Sequence, residues 1–100
     1  MNTEFVPYEQ AFDLNVLGAI TQKRKHPSIP YRQAFRWFRD ERNCHHYIEP
    51  IHRDGKVSYE YCVVSSSEDE KVFDEFSIAP TYEEAELKCL KILIEIAKQS

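Results

Sequence analysis

Cysteine and histidine side chains, which bind transition metals and act as nucleophiles and bases, cluster in the middle of the sequence. Cys44, His45 and His46 are consecutive, and His52 and Cys62 follow. Thiolates and imidazoles are the ligands that zinc prefers, in sites with regular spacings. The spacing here matches no standard site, and in the strand pairing described below His45 and His46 point to opposite faces. We therefore expect no metal site and interpret these histidines as ordinary sheet residues.

Two glutamates are the second candidate for chemistry. In the hairpin described below, Glu49 lies directly opposite Glu60. A like charge this close raises the pKa of one carboxyl and can mark acid–base chemistry, but water screens the effect on an exposed sheet face. The sequence shows no glycine-rich phosphate loop, no nucleophile elbow and no Cys–His pair with an orienting third residue. We therefore predict that the protein is not an enzyme and uses no cofactor.

Basic side chains are concentrated between residues 19 and 44, where Asp40 and Glu41 are the acidic residues. The candidate nucleic-acid contacts in this stretch are Lys23, Arg24, Lys25, Arg32, Arg36 and Arg39. Clustered cations of this kind are typical of phosphate-binding surfaces. A charged helix face is more often simply solvated or paired with acids, and the net charge of the chain is −4. Nucleic-acid binding is therefore kept as the alternative function.

The composition is that of one small globular domain, residues 1–100. Apolar residues make up 42% of the chain and charged residues 30%, with two glycines. No secretory signal is visible, and no apolar run approaches the roughly 18 residues that cross a membrane. Three cysteines without C-x-x-C spacing predict free thiols in a reducing compartment. We expect a soluble, cytoplasmic protein with no membrane partner.

Three segments have the apolar spacing of amphipathic helices. The first predicted helix covers residues 7–17 and is terminated by Gly18. The second covers residues 30–42. The last begins with a capping box formed by Thr81 and Glu84. In the first helix Tyr8, Ala11, Phe12 and Val16 are predicted to face one side. In the second helix, a core-facing stripe lies beside the stripe formed by Arg32, Arg36 and Arg39. An exposed Trp37 on this helix would assist nucleic-acid binding.

The first two helices begin with nearly identical segments. Residues 6–12 read VPYEQAF and residues 29–35 read IPYRQAF, so five of seven positions are the same. Proline is favoured in the first turn of a helix, because its missing N–H has no partner there. We interpret the copies as similar helix starts, with a duplicated helical unit as the alternative, since two copies are too few for a solenoid.

Asp54-Gly55 predicts a two-residue hairpin with a type I′ turn, because both residues tolerate positive φ. The register then pairs Arg53 with Lys56 and continues along both strands. The face predicted to be buried holds His46, Ile48, Pro50, His52, Val57, Tyr59, Tyr61 and Val63. Pro50 indicates an edge strand or a bulge, and residues 72–78 are predicted as a third strand on which Phe76 and Ile78 share a face.

The predicted fold is α+β in the order α-α-β-β-β-α, with a three-stranded antiparallel sheet and helices packed on one face. The residues expected to be exposed on the other face are Tyr47, Ile51, Cys62 and Val64. An uncovered sheet face or edge invites pairing. The leading hypothesis is therefore a non-catalytic interaction module that binds another protein or a copy of itself.

From residue 30 onward the element order resembles the double-stranded-RNA-binding domain. In that family the last helix begins with a lysine-rich pattern that contacts phosphates, which implies RNA binding. Here residues 81–86 read TYEEAE, and carboxylates repel a phosphate backbone. No RNA-contacting residue is therefore assigned from this resemblance.

Three blocks of the sequence resemble a group of short uncharacterised proteins of gut-bacterial genomes, prophages and mobile elements. The blocks are FVPYEQA at residues 5–11, QAFRWFR at 33–39 and YEEAELKCLKILIEI at 82–96. No activity, cofactor or catalytic residue is assigned to the group. The resemblance implies an accessory protein of phage or mobile-element origin.

Overall fold

The computed structural model describes residues 5–18, 29–66, 71–73 and 76–99. The elements within these ranges are helices α1 (Tyr8–Val16), α2 (Tyr31–Arg42) and α3 (Tyr82–Lys98), and strands β1 (Cys44–Arg53), β2 (Lys56–Ser66), β3 (Lys71–Phe73) and β4 (Ser77–Ala79). The predicted α+β fold and the α-α-β-β-β-α order are confirmed. The third predicted strand is present as two short strands, β3 and β4.

The hairpin turn sets the register of the sheet. Asp54 and Gly55 have φ angles of 51° and 74°, as a type I′ turn requires. Arg53 lies opposite Lys56, and the pairing runs without a bulge to Cys44 opposite Ser65. The predicted register is therefore confirmed over the whole hairpin.

Strand β2 is the centre of the sheet, with β1 on one side and the two short strands on the other. β3 pairs with the end of β2 at residues 64–66, and β4 pairs with its middle at residues 59–61. β1 is therefore an edge strand, as Pro50 predicted. In a two-residue hairpin the pair that flanks the turn is hydrogen bonded. Hydrogen-bonded and non-hydrogen-bonded pairs alternate from Arg53 onward, and Pro50 belongs to a non-hydrogen-bonded pair. Its backbone therefore points away from β2, and its missing N–H removes no hydrogen bond to that strand.

All three helices pack on the same face of the sheet or on each other. α3 crosses β1, β2 and β4, α2 packs on β1 and α3, and α1 packs on α3. The largest fully buried side chains are Leu14, Ile29, Phe38, Val63, Leu90 and Leu93. On the sheet Tyr61 is buried as well, which confirms the predicted core face at its centre. Pro50, His52 and Val57 were predicted to be buried but are exposed, because the hairpin extends beyond the helices.

Local capping defines where the helices begin and end. The Glu84 N–H donates a hydrogen bond to the Thr81 hydroxyl at 3.2 Å, which confirms the predicted cap of α3. α2 is capped at its C-terminal end by Asn43, whose φ of 54° places it in the left-handed region. No helix in the described ranges is long and apolar enough to span a membrane.

The two near-identical segments lie side by side. The Val6 N–H donates to the Ile29 carbonyl at 2.8 Å, and Phe5 forms an antiparallel bridge with Pro30. Both apolar lead-in residues are buried, and both helices begin directly after the proline. The interpretation as similar helix starts fits this geometry, and the prolines occupy the cap position one residue before the first turn.

Helix α1 is oriented differently from the prediction. Ala11 and Leu14 are buried, whereas Tyr8, Phe12 and Val16 are exposed. The equivalent of Phe12 in the second copy, Phe35, is 7% exposed, while Phe12 is 54% exposed. The reason is that α1 meets α3 along a narrow strip next to the Asp13–Lys98 ion pair of 3.3 Å. Of the four residues predicted to face one side, only Ala11 is buried in the described part of the chain.

Leucine-to-alanine and phenylalanine-to-alanine substitutions on α1 test this orientation. We expect Leu14→Ala to lower the free energy of unfolding by about 2–5 kcal/mol, because it leaves a cavity in the core. Phe12→Ala is the matched control and should change it by less than about 1 kcal/mol, because its ring is mostly in solvent. Urea unfolding followed by circular dichroism measures both. A larger loss for Phe12→Ala would show that α1 packs through the opposite side.

Candidate functional site

One face of the sheet contacts none of the helices of the described residues, and we call it the open face. It is formed by alternate residues of β1, β2 and β4 together with Phe76, which precedes β4. Its apolar and acidic members are Tyr47, Glu49, Ile51, Glu60, Cys62, Val64, Phe76 and Ile78. The same alternation places His45, Arg53, Lys56 and Ser58 on this face. All four residues predicted for protein interaction, namely Tyr47, Ile51, Cys62 and Val64, therefore share this face.

Exposure differs sharply among these residues. Tyr47 is 51% exposed and Ile51 is half-buried, but Cys62 and Val64 are only 2% and 7% exposed. The prediction that the latter two are exposed is wrong. Both lie on β2, which has neighbouring strands on both sides, so they form the floor of the face and not its surface.

The most exposed apolar residues of the open face were not among the predicted site residues. Phe76 is 65% exposed and Ile78 is 55% exposed. Their spacing of two residues placed them on one side of the third strand, which was the available signal in the sequence. The spacing does not say whether that side belongs to the open face or to the face covered by the helices. The pairing of Ile78 with Glu60 places it on the open face.

A shallow depression of about 250 Å³ lies at the centre of the open face. Its lining residues are Tyr47, Glu49, Glu60, Cys62, Val64 and Phe76. Glu49 lies directly opposite Glu60, as predicted. Among the residues that the structure describes, no cation forms an ion pair with either carboxylate. The depression therefore combines two adjacent negative charges with two aromatic side chains.

Three of the four arginines of α2 line a second concavity, which we call the arginine cleft. Arg32, Arg36 and Arg39 border a space of about 420 Å³, together with Phe35, His46, Tyr82 and Glu86. The Nε atoms of Arg36 and Arg39 lie 3.6 and 3.3 Å from Asp40 oxygens. The stripe is thus partly paired within its own helix. Lys23, Arg24 and Lys25, the other predicted basic residues, lie outside the described residues.

His46 contributes a ring but no charge to the arginine cleft. Its imidazole stacks on Phe35 with ring centres 3.7 Å apart and an angle of 15°. Burial lowers the pKa of His46 to about 4, and repulsion by His45 and Arg39 acts in the same direction. The imidazole is therefore neutral at pH 7. Glu86, on the opposite wall, has its pKa raised by burial and by Glu83.

Trp37 is not available as a stacking platform. It was predicted as an exposed aromatic residue, but it is half-buried against the core. Its ring meets Phe38 edge-on at 4.9 Å, and the Arg42 guanidinium covers it at 5.5 Å from the ring centre. The cation–π contact and the packing on Phe38 together occupy the surface that a nucleic-acid base would need.

The cysteines and histidines do not form a metal centre in the described part of the chain. Cys44, Cys62 and Cys89 are free and buried. The Cys44 thiol donates to the Arg42 carbonyl at 3.3 Å. Within the same residues there is no group of three or more His, Cys, Asp and Glu side chains that could hold a metal ion.

No protein-family model, curated protein or solved structure matches the chain. The similarity to the double-stranded-RNA-binding domain is therefore a similarity of element order only.

The half-buried His46 predicts a pH dependence of stability. Its pKa is lowered from 6.5 to about 4 in the folded protein, so the unfolded chain binds more protons between these values. This contribution to the free energy of unfolding is complete above pH 6.5 and is lost as the pH falls toward about 4. His46→Phe keeps a ring against Phe35 and should lose less stability than the wild type over this range. Urea unfolding at several pH values measures the difference, and identical pH profiles would contradict the prediction.

Proposed function

We propose that this protein is a non-catalytic interaction module that binds another protein through the open face. The observation that carries the proposal is the contiguous group formed by Tyr47, Phe76 and Ile78, each more than half exposed. Scattered exposed apolar residues are normal, but several of them grouped on one face of a sheet mark interaction surfaces.

The properties of the open face favour a protein over other ligands. The depression of about 250 Å³ is smaller than most pockets for small molecules or cofactors, which begin at roughly 300 Å³. Glu49 and Glu60 at its centre repel phosphate groups, so a nucleic acid is a poor partner for this face. The sheet fixes the backbone of Tyr47 and Ile78 before binding, which reduces the entropy lost on association.

The outer edge of β1 adjoins the open face and can extend the interaction. His46, Ile48 and His52 direct their backbone groups outward, away from β2. Among the described residues, no further backbone hydrogen bond occupies these groups. A partner strand could add to this edge, and Pro50 would limit the pairing because it has no N–H to donate.

Nucleic-acid binding through the arginine cleft is the alternative function. The observation in its favour is that Arg32, Arg36 and Arg39 border one concavity instead of pointing in separate directions. Asp40 and Glu86 place negative charge at the same site, which weakens attraction for phosphates. The resemblance to prophage and mobile-element proteins supports an accessory role in either case.

Two triple variants test the open face. One changes Tyr47, Phe76 and Ile78 to serine; the control changes the exposed residues Tyr8, Phe12 and Val16 of α1 to serine. Each tagged variant is purified from its native host and its bound proteins are quantified by mass spectrometry. We expect the wild type and the α1 variant to retain the same partner and the open-face variant to lose it, because the variant removes the exposed apolar surface.

The opposite pattern would place the interaction on α1 and would contradict the proposal. Circular dichroism of both variants establishes that they are folded. Sedimentation equilibrium of the wild type reports whether the partner is a second copy of the chain.

Retention on heparin tests the alternative function. If the arginine cleft binds phosphates, Arg32→Ala/Arg36→Ala/Arg39→Ala should elute at a clearly lower salt concentration than the wild type, because each lost phosphate contact reduces the salt dependence. The control Arg53→Ala/Lys56→Ala/Lys88→Ala removes the same charge elsewhere. Equal elution of both variants would contradict a specific role for the cleft.

A further inference from the structure

We infer that the partner of the open face presents a lysine or arginine side chain, flanked by apolar residues, to the central depression. This inference rests on the proposed function, because it specifies what the open face recognises. It follows from three features of the face: its charge, its aromatic side chains and the limited size of the depression.

The charge at the centre of the open face is negative, and no ion pair neutralises it among the described residues. Glu49 and Glu60 lie on adjacent strands, directly opposite each other. The basic residues at the hairpin end, Arg53 and Lys56, are each four positions away along their strands. This places their Cα atoms about 13 Å from those of the two glutamates along the strands. A cation from a partner would therefore meet two carboxylates that line one depression and that no described cation engages in an ion pair.

The aromatic side chains make the depression suitable for an organic cation. Tyr47 and Phe76 line the same space as the two carboxylates. Aromatic ring faces attract ammonium and guanidinium groups, and the buried Cys62 and Val64 offer an apolar floor for the methylene stem. A bare Ca²⁺ ion would need six or more oxygen ligands, which two glutamates do not supply. The chemistry and the volume of the depression thus fit one long, positively charged side chain.

The same charges disfavour a second copy docked symmetrically on this face. A two-fold axis through the centre of the face would bring Glu49 and Glu60 against their own copies, and like charges across an interface are costly. The C-terminal half of the chain adds to the repulsion between two copies, since residues 54–100 hold eleven acidic and five basic residues. A different, basic partner is the complementary surface.

Four blocked synthetic peptides test the inference by NMR. All have the sequence Gly-Ser-Val-Leu-Xaa-Leu-Val-Ser-Gly, with lysine, arginine, glutamine or glutamate at the central position. We expect the lysine and arginine peptides to shift the amide signals of Tyr47, Glu49 and Glu60. They should bind about tenfold more tightly than the glutamine peptide, because they add two charge pairs and a cation–π contact. The glutamate peptide should bind most weakly.

Matched charge variants identify the residues responsible. Glu49→Gln/Glu60→Gln should abolish the difference between the lysine and glutamine peptides. The control Glu9→Gln/Glu95→Gln removes the same charge from exposed positions on the helices and should preserve the difference.

The outcomes separate this inference from the proposed function. If the lysine and glutamine peptides bind the open face equally, the inference is wrong and the docking face stands. If no peptide shifts the open-face signals, the inference is again wrong, and the purification with the open-face variant decides the proposed function by itself. Concentration-dependent shifts of the same signals without peptide would identify a second copy as the occupant and would overturn the inference.

Discussion

The left-handed turn at Asp54-Gly55 is the constraint on which the rest of the structure depends. A two-residue turn leaves β1 and β2 one possible register, and side chains in a strand alternate between the two faces. A slip of one residue would carry Tyr61 and Val63 away from the helices and would separate Glu49 from Glu60. The core, the open face and the central depression are thus all consequences of this pairing.

The one-sided covering of the sheet explains why the open face exists. α3 is apolar over most of its circumference and crosses three strands, while α2 and α1 pack beside it on the same side. Antiparallel sheets tolerate one solvated face, so nothing in the fold requires cover on the other side. On that face the central strand is still sheltered by its neighbours. Apolar residues of β2 therefore form a buried floor, while residues of β1 and β4 rise around it.

The two near-identical segments separate local from tertiary effects within one chain. Both form a buried lead-in followed by a helix, because that start depends on neighbouring residues. Their burial then diverges: Phe35 stacks on His46 of β1 and is buried, whereas Phe12 is mostly exposed. The same residue type at the same helix position is a core residue in one copy and a surface residue in the other.

The sequence by itself determined the hairpin register, the capped start of α3, the element order and the pairing of Glu49 with Glu60. These features depend on backbone angles, caps and alternation, which are properties of residues close together in the chain. Only the tertiary structure decided that Cys62 is buried beside an exposed Tyr47, that Arg42 covers Trp37 and that α1 turns Leu14 inward. Burial depends on which element arrives at a surface from elsewhere in the chain, and a local pattern does not contain that information.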